Sequence, residues 1–588
     1  MIRPTPISAS RLRSLNRGLC VVGAALCSLA AILVWRGHNG AVALLAWAAS
    51  LACSVALKTP RRTTHRLERN DWLILAAILA VAAFFRLYRI ASVPSGPWID
   101  ELANAADAIN LASGHSFAPF GTTPLFAIGP EWVHTSNLYL YASYLLLWVS
   151  GFSQLGLKLI SALPGIAAPP ITYLLGRRFL RRPAAMLAAA WLAASQWHVT
   201  ASRWGWNQVL ATTLVIAMFA RLYEGAKRSD RRAFLVAGVI GGLSLYTYAS
   251  AWLGVLGALG FLLLRRTTFS RRVAGATVFA AGVLQAALPL LVFSACQSAG
   301  FAARAHEMSI LPLLSHGDLR PLAANFVAYG SMFWIHGDRN PRHDLPGAPM
   351  LDPLVGLLFA IGIAAALRRW RRIESRLLLV WLGAGLLGGI LSLPDSAPNS
   401  YRVGLIAPAC MLIAALGWRE LAARLHVGRW RYLLRREVLA AVAAILLSSA
   451  AAFLAYFVTR PASRECWFAV KEGAYCGVLR KASDRLLAGG GTVLFDRSLE
   501  MITTRLQFDV LQRRERPSAR WRWVDGSRIR PGELSTSVLL LAPQRWPDLL
   551  PQLRSLPHVM LRSPFGDDIA VMVSSDASLI ARAAGAQR

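Results

Sequence analysis

Two adjacent carboxylates, Asp100 and Glu101, stand near the head of the segment Pro97-Trp98-Ile99-Asp100-Glu101-Leu102-Ala103-Asn104-Ala105-Ala106-Asp107. The apolar spacing behind them predicts a helix running to about Gly114. Asp100 can cap the exposed amides of that helix while Glu101 favours the positive end of its dipole. A carboxylate here can equally serve as a general base, because no Lys or Arg lies between Arg89 and Lys158 to neutralise it. The two roles are compatible. Successive helical residues point about 100° apart, so only one of the pair meets a given ligand. Glu131 is a further carboxylate in the same interval, preceded by Pro130 in the manner of a helix start. His336, Asp338, His343 and Asp344 form a second group of ligating side chains. Their spacing follows no zinc pattern, and no metal is expected.

The elements that must hold these residues follow from composition. Of 588 residues, 55% are hydrophobic and 16% charged, against about 25% charged in soluble chains. The net charge of +33 comes from arginines in short clusters between apolar runs. A nucleic-acid partner would call for one basic face or tail, so none is expected. The pattern is that of a polytopic α-helical membrane protein under the positive-inside rule. Apolar stretches lie at 18–35, 41–57, 72–90, 137–152, 157–176, 183–200, 207–224, 233–248, 251–264, 273–294, 353–367, 376–393, 402–418 and 438–458. The first reads as an anchor rather than a cleaved signal, since a second apolar run follows at once and no small-x-small site precedes Trp35 and Arg36.

Basic clusters fall at the N-terminus, Lys58 to Arg69, Arg177 to Arg182, Lys227 to Arg232, Arg265 to Arg272, Arg368 to Arg376 and Arg419 to Arg436. The stretch holding Asp100, Glu101, Asp107 and Glu131 has none, which puts it outside the cytoplasm. An odd number of crossings is then needed between Glu131 and Arg177, so 137–152 or 157–176 fails to span. The expected topology has about 13 transmembrane helices, N-terminus cytoplasmic and C-terminal domain extracytoplasmic, in a bacterial inner membrane. Residues 1–70 hold a cytoplasmic segment and two extra helices; 71–459 form the core, with outer loops 91–136 and 295–352. Shorter outer loops surround Trp197 to Asn207 and Pro394 to Arg402.

Past Arg460 the pattern becomes that of a small α/β domain, 460–588. Val493 to Asp496 and Val538 to Ala542 predict buried strands, 467–487 and 499–512 helices, and His558 to Ser574 a strand-turn-strand around Phe565-Gly566-Asp567. Four of the seven cysteines, Cys20, Cys27, Cys53 and Cys410, lie in apolar runs. Cys466 and Cys476 lie in the outer domain, where a disulfide and two buried thiols are equal alternatives.

An acidic pair after an early span, a second carboxylate about thirty positions on, and then an aromatic-rich helix resemble the membrane glycosyltransferases of the GT-C superfamily. The likeness is to bacterial relatives of protein O-mannosyltransferases and of lipid A aminoarabinose transferases, the glycosyltransferase family 39 type. Leu159-Ile160-Ser161-Ala162-Leu163-Pro164-Gly165, Leu174-Leu175-Gly176-Arg177-Arg178, Trp197-His198 with Ser202-Arg203, and Leu245-Tyr246-Thr247-Tyr248 look like recurring segments of those enzymes. So do Gly337-Asp338-Arg339-Asn340-Pro341-Arg342-His343-Asp344 and Tyr401-Arg402-Val403-Gly404-Leu405-Ile406-Ala407-Pro408. The resemblance covers roughly 70–420.

What the resemblance implies is an inverting transfer of a sugar from a polyprenyl phosphate in the membrane to an extracytoplasmic acceptor, with no cofactor beyond the donor. Asp100 becomes the candidate base, with Glu101 and Glu131 as further catalytic candidates. Glu131 departs from the aminoarabinose transferases in being followed by Trp132-Val133-His134 instead of a Lys-Pro pair. A lipid-phosphate leaving group needs positive charge. Arg203, Arg339, Arg342 and Arg402, with His343 beside them, are the candidates for binding it. Rival readings are a transporter or flippase of a lipid-linked sugar, and a non-catalytic envelope scaffold. Transporters more often place ionisable residues at the midplane within repeated halves.

Overall fold

The computed structural model describes residues 9–36, 41–57, 67–113, 137–296, 307–425 and 433–584. They form a polytopic helical membrane protein with a small C-terminal α/β domain. Among the described residues eight helices are long and apolar enough to cross a membrane: Ser14–Trp35, Arg69–Leu87, Gln154–Gly176, Gln208–Arg228, Phe269–Ala295, Ile373–Ile390, Gly404–Arg424 and Glu437–Ala462. Four shorter apolar helices, Val42–Ala56, Leu138–Val149, Ala251–Leu263 and Pro353–Arg368, accompany them. The run 183–200 is not one helix: Arg182–Ala194 ends at Ser195 and a short helix, Gln196–Ser202, follows. Asn137–Val149 has 13 described residues, about 20 Å at 1.5 Å per residue, and Gln154–Gly176 has 23, enough for a ~30 Å hydrocarbon core.

Two compact units share the chain. The helical unit comprises Met1–Tyr88, Asp107–Ala142 and Leu159–Tyr456. Its helices pack at close range where side chains vanish: a Cβ on Gly362 would stand 1.9 Å from the Ile413 carbonyl oxygen, and one on Gly417 1.9 Å from that of Leu358.

The arginine clusters converge on one end of this unit. Asp71 takes Arg177 and Arg182, each at 3.0 Å, and Glu224 takes Arg178 at 3.0 Å. Arg265 donates to the Ala226 carbonyl at 2.8 Å, Arg376 to that of Leu264 at 2.5 Å, and Arg232 to that of Val55 at 2.6 Å. Arg369 pairs with Glu420 at 2.6 Å. Clusters far apart in sequence thus share one end because carbonyls and a few carboxylates there accept their protons. At the other end Arg203 donates to the carbonyls of Phe85 and Tyr88, at 2.9 and 2.8 Å. Its guanidinium lies 5.3 Å from the ring of Tyr456, the last residue of the unit.

The second unit comprises Arg89–Ala106, Ser143–Lys158 and Phe457–Arg588. Its sheet has strands β1 (Thr492–Asp496), β2 (Trp521–Val524), β3 (Ser537–Leu541), β4 (His558–Arg562) and β5 (Asp568–Val573). Their order is β2-β1-β3-β5-β4. β1 runs parallel to β2 and β3, Val493 opposite Trp521 and Val538; β5 is antiparallel to β3 and β4. The expected strands, the helix (Lys471–Ala488) and the turn, with Gly566 at φ +85°, are present. β2 was not expected. Its Trp-Arg-Trp-Val run is an edge with an exposed arginine, so it lacks the apolar continuity that marks β1 and β3. No disulfide joins Cys466 and Cys476. Both are buried thiols, and burial pushes that of Cys476 up to about 12.

Candidate functional site

The segment ahead of the acidic pair is clamped within the sheet unit. Ser95 Oγ donates to the Trp467 carbonyl at 2.8 Å. A Cβ on Gly96 would stand 1.8 Å from the Gly473 carbonyl oxygen, so only glycine lets this chain lie against helix Lys471–Ala488. The helix Ile99–Ser113 then begins. Its cap position is Trp98, not Asp100: Glu101 Oε2 accepts the Trp98 amide at 2.8 Å, the reach-back half of a capping box. The expectation that Asp100 caps the helix is thereby corrected, since Asp100 is already the second helical residue. Asp100 is half-buried.

Glu101 also receives Lys158, whose Nζ lies 3.1 and 3.3 Å from its two oxygens. The two side chains are 0% and 1% exposed. A segment without basic residues is therefore neutralised at one carboxylate by a lysine 57 residues on. Burial and pairing with Lys158 occupy Glu101.

Asp107, two turns along the helix, belongs to the helical unit. Its Oδ2 is buried without a hydrogen-bond partner among the described residues, and burial lifts its carboxyl to about 6. The sequence offered a signal for it only in the lack of nearby cations. Because the native state holds this proton up to about 6 and the unfolded chain only to its ordinary 3.8, stability should fall as pH rises between those values and then level off. Thermal unfolding in detergent between pH 4 and 7.5 should show that fall in the wild type and a flatter course in Asp107→Asn. Parallel curves would count against it.

In the helical unit, the stretch after Gly337 builds a polar group. Asp338, 2% exposed, accepts the amides of Ser400 and Asn340 at 2.7 and 2.9 Å, and lies 2.7 Å from His343 Nδ1. Burial alone would raise its carboxyl, yet the imidazole and those amides hold it below its ordinary range. His343, 3% exposed, lies against Tyr401 with ring centroids 4.4 Å apart, and its Nε2 is 3.2 Å from Arg342 Nη2. The Arg342 carbonyl accepts Trp204 Nε1 at 3.0 Å, and Trp197 Nε1 donates to the Ser400 carbonyl at 3.0 Å.

The remaining candidates divide. Arg339 and His336 are exposed. Arg402 is half-buried, with Nη1 3.3 Å from the Leu393 carbonyl. Arg203 is wholly buried, its two terminal nitrogens holding the C-terminal carbonyls of Arg69–Leu87. Arg86 makes the return contact, donating to the carbonyls of Leu192 and Ala193 and lying 2.8 Å from His198 Nδ1. Arg203 thus has a helix-ending role that its sequence position did not disclose. Glu131 lies outside the described residues. Among the described residues no three His, Cys, Asp or Glu side chains are grouped to hold a metal.

Residues 136–293 match the model of a family described as dolichyl-phosphate-mannose-protein mannosyltransferase, just over a quarter of the chain. The resemblance to GT-C membrane glycosyltransferases is borne out there. No curated protein matches. Among solved structures, the chain is similar to ArnT from Cupriavidus metallidurans in the apo state, with 14% identity over 87% of this chain and 99% of that one and a TM-score of 0.45. ArnT bound to undecaprenyl phosphate aligns at 15% identity, the same coverage and a TM-score of 0.44. The oligosaccharyltransferase of Archaeoglobus fulgidus aligns at 12% identity over 74% of this chain, with a TM-score of 0.44. The chain spans 63% of that relative's length.

Proposed function

We propose that this protein is a membrane glycosyltransferase that moves a sugar from a polyprenyl-phosphate donor to an acceptor hydroxyl outside the cytoplasm. The observation that carries this reading is the mannosyltransferase family match over 136–293. The half-buried carboxylate of Asp100, in the first turn of Ile99–Ser113, supports it. In the reaction, the acceptor oxygen attacks the anomeric carbon from the face opposite the phosphate while Asp100 takes its proton. The bond from that carbon to the phosphate oxygen breaks, and the lipid phosphate leaves as an anion. Arg342, with Arg339 and Arg402 in the same unit, is suited to that charge because guanidinium donors match phosphate oxygens. Glu101 keeps a structural role. The test is transfer of labelled sugar from polyprenyl phosphate in liposomes holding the full-length protein. Movement of the lipid-linked sugar across the bilayer without transfer would replace the enzyme with a flippase.

The orientation belongs to the same reading. With the arginine end of the helical unit cytoplasmic, the Arg203 end faces outward, in a bacterial inner membrane, and so do residues from 460 onward. Alkaline phosphatase fused after Arg588 should be active and after Arg372 inactive. The reverse result would invert the topology and remove Asp100 from the acceptor side.

A further inference from the structure

We propose that Asp338 and His343 are positioning residues for Arg342, a relay that holds the guanidinium in place for an anionic phosphate without cancelling its charge. The inference rests on the reading of Arg342 as a phosphate-binding residue and adds what sets it there. A guanidinium has only N–H donors, so the 3.2 Å contact between Arg342 Nη2 and His343 Nε2 requires a lone pair on that ring nitrogen. The ring proton then sits on Nδ1, where Asp338 Oδ2 accepts it at 2.7 Å. Asp338 cannot turn away, because the Ser400 and Asn340 amides hold both its oxygens. The Arg342 backbone is pinned as well: its amide donates to Asn340 Oδ1 at 3.0 Å and its carbonyl takes Trp204 Nε1 at 3.0 Å.

A carboxylate placed directly on Arg342 would fix it equally well but would neutralise it. A neutral imidazole between the two gives the orientation and itself brings no negative charge to the guanidinium. The other three arginines of the set differ: Arg203 is engaged by two carbonyls, Arg402 is held through Leu393, and Arg339 is exposed. Behind Arg342 stand the buried side chains of His343 and Asp338.

The chain of donors makes the idea testable by removing its acceptors. Asp338→Ala takes away the acceptor of the Nδ1 proton, so the ring can carry its proton on Nε2, where it opposes an Arg342 N–H. His343→Gln keeps an acceptor oxygen near the Nε2 position, whereas His343→Leu has none. The measurement is binding of farnesyl phosphate to the detergent-solubilised full chain, with farnesol as the phosphate-free control and thermal unfolding to check the fold. Asp338→Ala and His343→Leu should each weaken farnesyl phosphate by about 10-fold, the equivalent of one charge-assisted hydrogen bond. His343→Gln should stay within about 3-fold of wild type, a loss under 1 kcal/mol; farnesol should be unmoved. If His343→Leu binds farnesyl phosphate as wild type does, or Gln falls as far as Leu, the relay is wrong; should Asp338→Ala not fold, that comparison still decides. A wild-type affinity in Arg342→Gln would instead remove the phosphate reading beneath it.

Discussion

Asp100→Asn should abolish sugar transfer, by about 100- to 10,000-fold, the usual effect of losing a positioned general base, and leave the protein folded. The separation is sharper than the sequence implies, because the structure takes helix capping away from Asp100. The Trp98 amide is held by Glu101, and Asp100 stands inside the first turn. Replacing it removes a charge near the helix N-terminus, a loss of about 0.3–1 kcal/mol, and keeps the shape of the side chain. Membrane yield and thermal unfolding should therefore match wild type while transfer from labelled polyprenyl phosphate in liposomes disappears. Near wild-type turnover in the variant would dismiss Asp100 as the base. Loss of the folded protein would make it structural.

The second large effect falls on stability. Glu101→Gln leaves the Lys158 ammonium buried opposite an amide, and breaking a buried ion pair on one side costs about 3–5 kcal/mol. The expected result is a markedly lower unfolding temperature and poor recovery from the membrane. Pairing it with Lys158→Met removes the stranded charge and should restore most of the loss, since an apolar replacement of both partners is often neutral. A double-mutant cycle on thermal unfolding measures the coupling. Additive effects would mean that the 3.1 Å contact contributes little. The cycle also guards the catalytic test: any activity lost in Glu101→Gln but regained in the double variant reflects folding.

Among the acids and cations, what was legible tracks how local the cause is. Asp100 and Glu101 announce a helix start by type and spacing, but what each does there depends on where the first turn begins, two residues before the pattern indicates. Lys158 lies 57 positions from Glu101, and nothing in either neighbourhood names the other. Arg203 has the composition of a phosphate ligand, and only the fold brings the end of Arg69–Leu87 beneath its guanidinium. Asp338 and His343 were visible as a cluster of ligating types; the hydrogen-bond order that turns them from a metal candidate into a support for Arg342 exists only once Ser400 and Asn340 fix the carboxylate.

By itself the sequence determined that the chain is a membrane protein, roughly where its helices run, which clusters share a side, and that an α/β domain follows. Each of these rests on hydropathy and charge summed over short windows, and bilayer thickness and the positive-inside rule convert such sums directly into structure. The tertiary structure alone decided that Glu101 pairs with Lys158 and that Asp338 faces His343. It also decided that β2 completes the sheet. Those outcomes depend on what residues distant in the chain contribute to one buried place, where an unpaired charge is too costly to persist and its partner cannot be read from its neighbours.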